Sequence, residues 1–73
     1  MKVFGYIEGD HNQLFRLSEV TLQADPQTLK AVASFLLKCA KEMEDDDSWE
    51  HEHFADSTFT DVVLTDIIVF RDN

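Results

Sequence analysis

The sequence predicts an α+β fold: a small antiparallel or mixed sheet of three to four strands, in the order β-β-α-β-β, with one amphipathic helix packed on one face. The prediction rests on a helix start at Asp25-Pro26, on the apolar stripe at helical spacing that follows it, and on short β-branched and aromatic runs to either side. A length of 73 residues leaves room for a single domain, residues 1–73, with one small core. A chain this short buries only about 60% of the surface its unfolded form exposes, so a partner, a metal or a dimer contact would add useful stability.

Val3 to Ile7 is rich in β-branched and aromatic residues, with Val3 and Ile7 on one side and Phe4 and Tyr6 on the other, as a strand requires. Gly9-Asp10-His11-Asn12 is turn chemistry. Leu14 to Ala24 then resumes an extended pattern with Val20, Leu22 and Ala24 on one face, which makes a hairpin. Asp25 followed by Pro26 satisfies two helix-start preferences together: a side-chain acceptor at the N-cap and a residue with no N–H at the first helical position. Leu29, Val32, Ala33, Leu36, Ala40 and Met43 recur at spacings of three and four, with Phe35, Leu37 and Cys39 widening the stripe, so this face is assigned to the core. Gln27, Lys30, Ser34, Lys38 and Lys41 form the opposite, solvated face.

Beyond the helix, Trp49 to Phe54 is expected to be a third strand, and Val62-Val63-Leu64 with Ile67-Ile68-Val69-Phe70 a last apolar segment. Asp61 and Asp66 punctuate that segment, leaving open one bent strand or a strand plus a turn. The run Ile67 to Phe70 lacks alternation, which predicts an internal strand covered on both faces.

Charge is the strongest compositional signal. Fifteen Asp and Glu against six Lys and Arg give a formal net charge of −9, which argues against nucleic acid as a ligand and suits a basic protein surface. The charge is concentrated, because eight of the fifteen residues from Glu42 to Asp56 are acidic. EMEDDD at 42–47 places acids at the negative end of the helix dipole, where cations are favoured, so helix stability does not account for them. The opening MKVFGYIEGD has one lysine and reaches Glu8 before any long apolar run, so neither a signal peptide nor a membrane span is expected and the expected location is the cytoplasm. Cys39 stands alone among apolar helix residues and reads as a small core residue.

The stretch Trp49-Glu50-His51-Glu52-His53-Phe54 is the distinctive one. In an extended conformation Trp49, His51 and His53 share one face, with Glu50, Glu52 and Phe54 on the other. His51 and His53 have the spacing to chelate one zinc ion, but zinc takes three or four ligands, and His11 or Asp56 complete the set only if the fold delivers them. An acid and base pair with Ser57 or Thr58 as nucleophile lacks an oxyanion-hole element or a substrate-binding segment, so an enzyme is not expected. Two readings of the strand stay open. In one it is a solvated edge; in the other a recognition face in which Trp49 anchors, His51 and His53 donate hydrogen bonds, and Asp45, Asp46, Asp47, Glu50 and Glu52 steer a basic partner.

Leu17-Ser18-Glu19-Val20-Thr21-Leu22, then Ala24-Asp25-Pro26 opening a helix with Leu29, Ala33, Phe35 and Leu36, then Trp49-x-His51-x-His53-Phe54, and a closing Asp66-Ile67-Ile68-Val69 together span most of the chain. In this order they resemble the immunity protein thirty-two-like family of small bacterial proteins that neutralise polymorphic toxin domains. The resemblance implies an α+β fold and a non-enzymatic role, blocking a cognate toxin in the bacterial cytoplasm, with Trp49, His51 and His53 as the positions to carry over. The alternatives from other classes are a small metal-binding domain built on His51 and His53 and a generic partner-binding accessory domain. Either a monomer or a homodimer is compatible with the sequence.

Overall fold

The computed structural model of the protein describes residues 1–59 and 65–72. Its fold is α+β, and among the described residues the strands form two two-stranded antiparallel sheets, where a single sheet was expected. Strands β1 (Val3–Ile7) and β2 (Asp10–Leu17) make a hairpin. Helix α1 (Pro26–Asp45) follows, then β3 (His51–His53), a single 3₁₀ turn (Phe54–Asp56) and β4 (Ile68–Phe70), which pairs with β3.

The hairpin turns earlier than the sequence suggests. Ile7 pairs with Asp10 across a two-residue turn, in which Gly9 takes the left-handed φ of +82° that a side chain would strain. Asp10 begins β2, and its carboxylate accepts the Asn12 N–H at 2.9 Å. Register then shifts between Gly5 and Ile7, a bulge that sets Gly5 opposite Phe15 and Val3 opposite Leu17. Ser18 to Asp25, expected to continue the strand, has no regular structure and is exposed throughout.

The helix starts as Asp25-Pro26 predicts: the Thr28 N–H donates to Asp25 Oδ1 at 2.8 Å and Pro26 occupies the first turn. Its apolar surface is wider than the surface that is covered. Val32, Phe35 and Cys39 are buried with Phe54 of the 3₁₀ turn, and Ala31, Trp49, Phe59, Ile67 and Val69 pack around them. Phe35 and Phe54 meet edge to face at 5.3 Å between ring centroids. Leu29, Ala33, Leu36, Leu37 and Ala40, which the periodicity assigns to the core, are exposed. Among the described residues the β3–β4 ribbon has two strands and the hairpin contributes no residue to the core cluster, which leaves the covered arc narrow.

The last strand also differs from expectation. Among the described residues β4 pairs with β3 alone, and it alternates: Val69 faces the core while Ile68 and Phe70 are exposed. A ribbon lying on one helix has one covered face, so consecutive apolar residues cannot all be buried. Val62, Val63 and Leu64 lie outside the described residues.

Candidate functional site

The end of α1, the loop after it, β3 and the end of β4 converge on one acidic region. Arg71, just beyond β4, holds it together. Its Nε–H donates to the Trp49 carbonyl at 2.7 Å, and its Nη2 donates to the carbonyls of Met43 at 2.7 Å and Asp46 at 2.6 Å. The Arg71 backbone N–H adds a bond to the Glu50 carbonyl at 2.8 Å. One guanidinium therefore supplies the cation that the last turn of α1 lacks, and it satisfies carbonyls that the helix end leaves open. The acidic residues at 42–47 are tolerated at the helix C-terminus because this charge arrives from the far end of the sequence.

Asp46 turns the chain out of the helix. Its Oδ1 accepts both the Ser48 N–H at 2.9 Å and the Ser48 hydroxyl at 2.6 Å, and these bonds, with Arg71 nearby, hold its carboxyl below the usual carboxylate range. Asp45 pairs with Lys41 at 3.0 Å, one turn back on the helix, and both are exposed. Asp47 and Glu50 are exposed on either side of Trp49. Asp47, Ser48, Trp49, Glu50, Phe70 and Arg71 line an open depression of about 290 Å³.

The expected common face of Trp49, His51 and His53 does not form. Strand β3 begins only at His51, so its alternation does not reach Trp49. The indole turns toward the helix, packs against the core and donates its Nε1–H to Glu42 Oε1 at 3.2 Å. His51 lies outside, stacked on Phe70 at 4.6 Å, with the His53 ring tilted against it at 5.7 Å. His53 Nδ1 is 2.6 Å from Asp66 Oδ2. The other oxygen of Asp66 accepts the Ala55 and Ile67 N–H groups at 2.8 and 2.9 Å. Burial pushes the Asp66 carboxyl up, but the Ala55 N–H, His53 and the Ile67 N–H outweigh it and hold the group below its ordinary range. Asp66 thus ties the end of β3 to the start of β4, with His53 as part of the tie.

Glu52 points at the helix, as the strand alternation predicts. Its Oε2 is 2.8 Å from Lys38 Nζ, which also reaches Glu42 at 3.0 Å. Glu52 first and Glu42 second keep the Lys38 ammonium above its usual range. Cys39 lies beneath them, 1% exposed, and burial together with the Glu52 charge pushes its thiol up. Among the described residues no group of three or more His, Cys, Asp or Glu side chains is placed to hold a metal ion, and His11 sits against the Tyr6 ring at 5.2 Å.

Of the residues that the sequence singles out, the fold brings Asp45, Asp46, Asp47, Trp49 and Glu50 to one region, and directs Glu52 and His53 to internal contacts. Arg71 was not singled out. A lone basic residue after an apolar run, in a chain whose helix ends on acids with no cation, is the signal that could have found it.

Fold and site together define a small α+β domain with an acidic region where the end of α1 meets β3 and β4. The family model for Immunity protein 32 matches residues 19–66, and the chain belongs to that family. No curated protein and no solved structure matches it. Among the described residues no helix is long and apolar enough to cross a membrane.

Proposed function

We infer that this protein is a non-enzymatic immunity protein of the bacterial cytoplasm, which binds a cognate toxin domain through its acidic face and blocks it without zinc or another cofactor. Family membership supports the class, and the distribution of charge supports the face. Eleven of the fifteen acidic residues lie in 42–73; of the basic residues that reach them, Arg71 turns its donors inward onto backbone carbonyls, Lys38 pairs with Glu42 and Glu52, and Lys41 with Asp45. That pole carries a negative field fit to steer and seat a basic surface.

Within the face, Asp45, Asp47 and Glu50 are the exposed charges that meet the partner. The depression takes a lysine or arginine side chain, its stem against the exposed Phe70 ring and its head among Asp47 and Glu50. Asp46, Trp49, Glu52 and His53 shape the face through the contacts described above, while the His51–Phe70 stack forms its outer flank. The test is affinity capture from lysate of the producing cell at low salt, comparing the wild type with an Asp45→Asn, Asp47→Asn, Glu50→Gln variant. Retention of one basic toxin domain by the wild type and its loss by the variant is the expected result; equal retention by both overturns the assignment of the face.

A further inference from the structure

The chain exposes more surface than a protein of its mass needs to. Its accessible area is 6429 Å², whereas a compact monomer of 8.4 kDa exposes about 4,600 Å². The radius of gyration, 13.0 Å against about 11 Å for a compact chain of this length, gives the same result. The surplus is about 1,800 Å², and Phe4, Tyr6, Ile7, Leu14, Leu29 and Leu36 are among the large apolar side chains left exposed.

The open apolar surface has two parts of complementary shape. Ile7, Phe15 and Leu17 edge a concave depression of about 300 Å³ on the hairpin. On α1, Leu29 and Leu36 project, 42% and 45% exposed, with the small side chains of Ala33 and Ala40 beside them on the same stripe. One element offers a hollow and the other a ridge. The Ser18–Asp25 segment between them has no regular structure and is exposed along its length, and among the described residues nothing covers either.

We propose that a second copy of this chain covers both, the hairpin of each protomer seating on the Leu29–Leu36 stripe of the other in a reciprocal, two-fold exchange. A closed pair of this kind covers hollow and ridge on both protomers at once, whereas a partner that filled only one would leave the other in water. The area agrees: two surpluses of about 1,800 Å² fall within the 2,000–5,000 Å² total that obligate homodimers bury. Charge agrees as well. The hairpin strands and their turn, residues 1–17, carry Lys2 and Arg16 against Glu8 and Asp10, and residues 26–37 of the helix carry Lys30 alone, so these surfaces meet without mutual repulsion, while the acidic residues of 42–73 take no part. The proposal stands apart from the toxin reading, since the acidic face takes no part in it.

The test measures solution mass together with isotope-filtered NOEs on a sample mixed from labelled and unlabelled chains. A particle of twice 8.4 kDa, with intermolecular NOEs from Phe15 and Leu17 to the Leu29 and Leu36 methyls, is expected. Leu36→Glu and Phe15→Glu, both outside the buried core, should each halve the mass while retaining the helix signal. A wild type that stays monomeric at high micromolar concentration overturns the proposal, and so does a dimer whose intermolecular NOEs lie elsewhere. Hairpin-to-helix NOEs within a monomer would show that each chain covers itself, which also overturns it.

Discussion

Arg71 shows how one side chain settles a conflict in the local sequence. The last turn of α1 has no basic residue of its own, and the acids that follow add to the negative end of the dipole. The Arg71 guanidinium spans the carbonyls of Met43, Asp46 and Trp49, three sites that a lysine ammonium cannot match with a planar fork. Charged hydrogen bonds to buried or half-buried partners contribute about 1.5–3 kcal/mol, so Arg71→Met should lower unfolding stability by roughly 2–3 kcal/mol, with Arg71→Lys recovering only part, as measured by urea denaturation. Asp66 is the second such residue. Replacing it by Ala leaves the Ala55 and Ile67 N–H groups, both open to water, without their acceptor and should cost about 1 kcal/mol at neutral pH. Because its folded carboxyl is held below its unfolded value, the charged form stabilises the fold above about pH 4 and that contribution is lost as pH falls through the lower, folded value. Wild type and Asp66→Ala should therefore converge in stability on acidification; curves that stay parallel down to pH 2 would remove the assigned role. Cys39 offers a third check. A thiol that is 1% exposed and pushed up by burial should react with iodoacetamide only as fast as the chain opens, so its native labelling should be slow and should quicken steeply in urea.

The elements divide into a helix with a narrow covered arc and two ribbons of unequal duty. Phe35 is fully buried at the centre of the arc, and its truncation removes about 3–5 kcal/mol, a large part of what so short a chain can have in reserve. Phe35→Ala should be largely unfolded at 25 °C by circular dichroism, whereas Ser34→Ala, one residue away on the exposed face, should change stability by less than about 0.5 kcal/mol. The helix start was fully legible because the N-cap acceptor and the proline act within four residues. The hairpin was legible as an element but not in its turn or its length, because Asp10-His11-Asn12 favours a turn by composition while Gly9 alone supplies the positive φ. The width of the core was not legible. Helical periodicity reports every apolar residue on a face, and which of them is covered depends on what the β3–β4 ribbon reaches, which no local pattern encodes. In the same way the acids of the candidate face could be read from composition, but their organiser could not, since Arg71 acts across 25 residues on the Asp46 carbonyl.

The whole molecule is polar in the electrical sense. With Lys38 and Lys41 counted where they pair, on Glu42, Glu52 and Asp45, the acidic region holds eleven acidic residues against three basic, and the rest of the chain four against three. A field arranged this way acts before contact: it orients a basic partner toward the acidic end during diffusion, and it is screened over about 10 Å at 0.1 M salt. The two rate constants of toxin binding should therefore separate. Raising salt from 0.05 to 0.5 M should slow association on the order of tenfold or more while dissociation changes little, because the contacts within the depression over Trp49 and Phe70 are short-ranged. Neutralising Asp45 and Asp47 should reproduce the slow association at low salt and flatten the salt dependence. Phe70→Ala should instead speed dissociation and leave the association rate near its wild-type value. Stopped-flow mixing with the captured partner measures both. An association rate indifferent to salt would mean that the acidic pole does not guide binding, and would leave its charge the role of keeping the molecule in solution.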